Sequence, residues 1–149
     1  MSLPKMPTRS QILRTLTLGD RKILIKSLES LGELPELRYL RRPEKGLIMV
    51  RGRVGGTGAP FNLGEMLVTR CSVSIEGFIG HGYVISDDPE KALAVAAADA
   101  LYQNPRFTEA IAGLLNELAT SLSRAQAAQQ SQVASTVVEF FTMVRGDND

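Results

Sequence analysis

The sequence predicts an α+β fold: an N-terminal helical hairpin, a four-stranded antiparallel sheet of two hairpins, and C-terminal helices that include one long helix. Three observations carry this. Apolar residues recur at helical spacing over residues 8–31 and again from residue 107 onward. Between them, residues 36–86 alternate and are punctuated by turn sequences. The links between the alternating runs are hairpin-short, so the sheet is antiparallel with helices on one face.

Taken in order, residues 8–31 form two short helices broken at Leu18-Gly19-Asp20, with Thr8 and Asp20 as N-caps. Ile12, Leu13 and Leu16 make one apolar stripe; Ile23, Leu24, Leu28 and Leu31 make the other. Residues 36–42 and 47–54 flank PEKG, Pro43 to Gly46, a turn sequence. In the second run Leu47, Met49, Arg51 and Arg53 share one face, while Ile48, Val50, Gly52 and Val54 share the other. Val50 and Val54 are expected to face the core. Residues 66–76 and 78–86 pair across a Glu76-Gly77 turn, which sets Ser72 opposite His81 and Val73 opposite Gly80. Leu67, Thr69, Cys71, Val73, Ile75, Phe78 and Val84 then form a core face, and Arg70, Ser72, Ser74, His81 and Tyr83 a polar one.

Asp88-Pro89 starts a helix, Asp as cap and Pro at the first helical position, and Asn104-Pro105 ends it. That helix is rich in alanine, so another backbone can approach it closely. Residues 107–144 form the last helical region, with Phe107, Ile111, Leu114, Leu115, Leu118 and Leu122 as its stripe. It either folds back near Ser131 or reaches a partner with its distal part. Phe140, Phe141, Met143 and Val144, with Arg145, are too apolar as a group for an idle tail; residues 133–149 are expected to dock on a partner.

The 149 residues suit one domain, 1–149, and a chain of that size can remove roughly 68–70% of its unfolded surface from water. A net charge of +1 and 5% aromatic content give no electrostatic or stacking platform for nucleic acid. No run reaches the ~18 apolar residues of a membrane span, the N-terminus lacks signal-peptide features, and Cys71 stands alone. A cytoplasmic protein is the expectation.

His81 and Cys71 are the only residues of their kinds and lie on opposite faces, so no autonomous metal site is expected. Ser72 and His81 form a Ser–His pair with no acid placed behind the ring and no nucleophile elbow, so no catalytic residue is assigned. The glycine-rich loop GGTGAPFNLGE, residues 55–65, admits two readings. Gly55, Gly56 and Gly58 with Thr57 can present backbone N–H groups to a phosphate, helped by Arg51, Arg53 and Arg70. Equally, the loop can be a corner between strands. It matches neither a Walker motif nor a dinucleotide fingerprint, because it leads into a strand.

The segment RGRVGGTGAPFNLGEMLVTRCSV, residues 51–73, resembles the signature region of the PhnG family, a subunit of the carbon–phosphorus lyase core complex. VVEFFTMVRGDND, residues 137–149, resembles the family's C-terminus, and DDPEKALAVAAADAL, residues 87–101, matches in position and in its Asp-Ala-Leu end. Arg53, Gly55, Gly56, Thr57, Gly58 and the Thr69-Arg70 pair are the positions that match. The family often has Gly-Arg-Asp where this chain has Ser86-Asp87-Asp88, so Asp88 is read as a helix cap only. The resemblance implies a part in phosphonate breakdown, alongside the subunits PhnI, PhnH and PhnJ and the ATP-binding-cassette-like PhnL. There adenine is displaced from ATP by methylphosphonate, giving α-D-ribose 1-methylphosphonate 5-triphosphate. It implies a transferase subunit that binds no cofactor alone, with ATP as substrate of the complex. It also favours a loop that shapes a subunit interface, with direct triphosphate contact through the arginines and the loop as the alternative.

Overall fold

The computed structural model describes residues 6–146, with side chains as far as residue 130. The chain runs α1 (Arg9–Leu18), α2 (Arg21–Glu29), β1 (Leu37–Arg53), a single 3-10 turn (Val54–Gly56), β2 (Pro60–Ile75), β3 (Phe78–Val84), α3 (Pro89–Gln103) and α4 (Thr108–Gly146). The predicted α+β class and its helices are present. Thr8 closes a capping box with Gln11 at the head of α1. Asp20 accepts from the Lys22 and Ile23 N–H groups at the head of α2. Asp88 accepts from the Lys91 N–H, with Pro89 inside the first turn of α3.

Among the described residues the sheet has three strands in the order β1-β2-β3, not the four expected. PEKG is no turn: β1 runs straight through it as one 17-residue strand paired to β2. Two features permit this. β1 is an edge strand, where a proline need not donate a ladder hydrogen bond. The register also slips between Arg41 and Glu44, so Pro43 falls in a bulge. The β1–β2 reversal lies instead at the glycine loop, where Gly55 and Gly56 take φ of 62° and 83° and the Gly58 N–H donates to the Val54 carbonyl at 2.8 Å. The β2–β3 hairpin turns at Glu76-Gly77, with φ of 51° and 86°, as a two-residue loop requires. Its register is the expected one, Ser72 opposite His81 and Val73 opposite Gly80.

One face of the sheet is buried. Cys71, Val73, Ile75 and Val84 pack with Ile12 and Leu16 of α1, Leu24 and Leu28 of α2, Ala92, Ala96 and Leu101 of α3, and Ile111 and Leu118 of α4. Strand β3 lies against α3 at backbone distance. A Cβ at Gly80 would sit 1.9 Å from the Ala96 carbonyl oxygen, and one at Gly82 2.0 Å from that of Ala92. Among the described residues, no helix packs on the other face of the sheet.

Leu67 and Val54 depart from expectation. They are 40% and 64% exposed, because the β1–β2 pair continues past Thr69, the last residue of β2 paired to β3, as a free two-stranded arm. Leu47 opposes Leu67 in that arm, and Met49, Phe61 and Leu63 are exposed on it as well. Ile48, Val50 and Gly52 are half-buried, while Leu47, Met49, Arg51 and Arg53 face water. Helix α4 does not fold back near Ser131: it is one 39-residue helix, about 58 Å long at ~1.5 Å per residue. Among its described side chains the last buried one is Leu118, and residues 123–130 are exposed on every side. The side chains of Phe140, Phe141, Met143, Val144 and Arg145 lie outside the described residues.

Replacing Gly80 by Ala should drive a methyl group into the α3 backbone and lower unfolding stability by about 3 kcal/mol or more. Gly113→Ala, at an exposed helical position with open space around it, should instead raise stability by about 0.5–1 kcal/mol. Urea unfolding of the full chain measures both; a neutral Gly80→Ala would contradict the packing described.

Candidate functional site

Polar chemistry gathers on the open face of the sheet. In-register partners across adjacent strands share a face, so the pairs Arg38–Ser74, Arg41–Ser72 and Glu44–Arg70 all project the same way. On β1 these residues are spaced by three rather than two. The register slips between Tyr39 and Arg41 and between Arg41 and Glu44 each insert one residue and re-aim the next side chain. From β3, His81 and Tyr83 join them opposite Ser72 and Arg70.

The side chains interlock. The Glu44 Oε1 atom accepts from Arg41 Nη1 at 2.7 Å and from Arg70 Nε at 2.9 Å. Ser72 Oγ and His81 Nδ1 are 2.8 Å apart. Arg41, Arg70, Ser72, His81 and Tyr83 surround a shallow hollow of ≈ 310 Å³. Cys71 turns its side chain to the opposite, buried face, and burial pushes its thiol pKa up, which leaves little thiolate for chemistry.

An acid does stand near His81, but it holds the backbone. Asp99 of α3, 2% exposed, accepts from the His81 N–H and from Arg9 Nη2, both at 3.0 Å. Gln103 Nε2 donates to the Ile79 carbonyl at 2.7 Å. Side chains from α1 and α3 thus take up backbone groups along the outer edge of β3. Among the described residues the imidazole receives no carboxylate, so there the Ser72–His81 pair lacks the third member of a hydrolytic triad.

Thr69 and Asp88 tie the sheet to α3. Thr69 Oγ1 donates to the Ser86 carbonyl at 2.6 Å and accepts from the Asp88 N–H at 3.1 Å. Asp88 also pairs with Arg21 Nε at 2.8 Å, and Arg21 reaches Glu90 through Nη2. Asp88 is therefore more than a cap: it joins α2 to the start of α3. Burial alone would raise its carboxyl pKa; the Lys91 N–H and Arg21 outweigh that and hold it below the usual range.

The comparisons with known proteins bear directly on this arrangement. The family model described as "Phosphonate metabolism protein PhnG" matches residues 7–146. The chain belongs to the PhnG family. It is also similar to a protein of Rhizobium meliloti (strain 1021) described as alpha-D-ribose 1-methylphosphonate 5-triphosphate synthase subunit PhnG. The two are 37% identical over 139 residues, which cover 93% of this chain and 87% of the relative. The match takes in all three strands, the arm and the whole of α3.

Within the PhnG-family segment 51–73 the structure separates two groups that the sequence reading joined. Arg51, Arg53, Gly55, Gly56, Thr57 and Gly58 lie at the tip of the arm, all exposed except Gly58. Arg70 sits at the arm's base. Arg51 opposes Asn62, and eight residues of strand separate Asn62 from Arg70, about 27 Å at ~3.4 Å per residue. One phosphate cannot touch both. The residues that join Arg70 are Arg41, Glu44, Ser72, His81 and Tyr83. Arg41 and Glu44 were missed because strict alternation hides a bulged strand; Asp99 stood in the sequence only as part of the Asp-Ala-Leu match. Among the described residues, no three His, Cys, Asp or Glu side chains gather in a metal-binding arrangement.

Asp99→Ala should cost about 2–3 kcal/mol of stability by removing one buried acceptor of two hydrogen bonds, with Asp99→Asn costing less; equal, near-zero losses in urea unfolding would contradict the role. The depressed Asp88 contributes stability that is complete above its unfolded value, about 3.9, and is lost as pH falls through its lower folded value. Asp88→Asn keeps a capping oxygen but no charge. The stability gap between wild type and this variant should therefore narrow in acid. A gap that stays constant down to about pH 3 would contradict it.

Proposed function

We propose that this chain is a cytoplasmic assembly subunit of the complex that makes α-D-ribose 1-methylphosphonate 5-triphosphate during phosphonate breakdown, supporting displacement of adenine from ATP by methylphosphonate. The observation that carries this is the arm. A two-stranded ribbon is marginal by itself in water, yet this one displays Leu47, Met49, Phe61, Leu63 and Leu67 to solvent. Leu47, Met49 and Leu67 share one face of the ribbon, and Phe61 and Leu63 flank Gly52 on the other; exposed apolar patches of this kind mark interaction sites. The relative's description as a synthase subunit agrees with such a role.

In this reading the glycine loop is a structural corner that lets the arm end in a tight tip, and the tip enters a neighbouring subunit. PhnI, PhnH, PhnJ and PhnL are the proposed neighbours, and the apolar C-terminal sequence around Phe140 and Phe141 is a second docking element. The reaction centre belongs to a partner; this chain supplies shape and placement.

Replacing residues 50–64 by Asn-Gly would keep the Met49–Glu65 pair as a new hairpin end. The shortened chain should keep its helical circular dichroism and melting transition but no longer co-purify with the coexpressed partner subunits. Undiminished co-purification would sink the proposal. Arg53→Ala in an intact complex should leave turnover within about threefold, whereas a fall of about 100-fold without disassembly would move this chain's role into the active site.

A further inference from the structure

The open face of the sheet carries a feature that the assembly role does not use. Arg41 and Arg70 converge on a single oxygen of Glu44. Two guanidinium groups directed at one carboxylate oxygen are arranged as they would be around a phosphate oxygen, because Arg presents fork-shaped donors to either anion. Glu44 reaches that position only because the bulge at Pro43 re-aims it. We propose that Glu44 is a built-in stand-in, and that the hollow lined by Arg41, Arg70, Ser72, His81 and Tyr83 binds a phosphate group that displaces it.

Charge and exposure support the exchange. Arg41, Arg70 and Glu44 are all about half exposed, at 47%, 50% and 46% of their side-chain surface. Ion pairs that open to water are worth little, so releasing Glu44 costs little. A phosphate dianion brings more charge and more acceptor oxygens than the carboxylate it replaces. The two arginines against one glutamate leave a net positive charge, and among the described residues those lining the hollow itself include no acid. Ser72, His81 and Tyr83 add hydrogen-bonding groups around the rim. Glu36 and Glu76 line a separate hollow beyond Ser74.

The site is also held still from behind. Asp99 fixes the His81 backbone, and Thr69, the residue before Arg70, is pinned to the start of α3. The ligand class is a phosphate oxyanion, which in solution is either free orthophosphate or the phosphate chain of a nucleotide. The assembly role and this site are independent: the arm tip lies eight residues of strand away from Arg70, and its loss leaves the hollow intact.

The test titrates the full-length chain with orthophosphate and, separately, with magnesium-free ATP, following heat of binding at low salt. Wild type should bind at least one of them saturably. Glu44→Gln should bind about fivefold or more tighter, since the resident charge is gone, and Arg41→Ala and Arg70→Ala about tenfold or more weaker. Arg53→Ala, at the arm tip, should match wild type. Tighter binding of ATP than of orthophosphate assigns the site to a nucleotide's phosphates; equal affinity assigns it to free phosphate. Absence of saturable binding by both wild type and Glu44→Gln overturns the proposal. So does binding that survives loss of either arginine, or that weakens in Glu44→Gln. Unchanged melting temperatures among the variants establish that the differences arise at the site.

Discussion

Two missing side chains set the geometry of this protein. Gly80 and Gly82 on β3 let the Ala92 and Ala96 carbonyls of α3 approach to distances that no Cβ would tolerate. The alanine run of α3 is the matching half of that contact: nine of its residues are buried, seven of them apolar side chains no larger than valine. Once α3 is seated this close, Asp99 meets the edge of β3, and Asp88 meets both Thr69 and Arg21. The same seating consumes one face of the sheet and leaves the other uncovered. The candidate site exists where the helix is not.

The bulges in β1 are the second determinant. An unbulged strand would send Arg38, Arg41 and Glu44 to alternating faces. With one extra residue in each of two intervals, all three project outward. The edge position of β1 makes this tolerable, because an outer strand sacrifices fewer hydrogen bonds when its ladder is interrupted. Irregular backbone here concentrates charge on one surface without burying any of it.

Much of this was legible in residue order. Helix caps at Thr8, Asp20 and Asp88, the Glu76-Gly77 reversal and the Ser72–His81 register all follow from local chemistry, since caps and two-residue turns have few solutions. The resemblance of residues 51–73 and 87–101 to the PhnG family was readable too, and the match over residues 7–146 agrees with it. PEKG misled because Pro-Glu-Lys-Gly is good turn chemistry when read alone; only the presence of a 16-residue partner strand makes it extended. Leu67 and Val54 misled because alternation specifies which side a residue faces, not whether anything covers that side. Arg41 and Glu44 escaped notice since a bulge leaves no fixed signature in composition.

The outer margin of β3 has a consequence for the life of the chain before it meets its neighbours. Strand margins normally invite another copy to zip on through main-chain pairing, which is how sheets grow into fibres. Here Asp99, Gln103 and Arg9 already occupy that margin, and at the far side Pro43 and the bulges spoil the template. Along the three-stranded part of the sheet, a freshly synthesised molecule can therefore wait in excess over its binding companions without self-polymerising; the free arm alone keeps open borders.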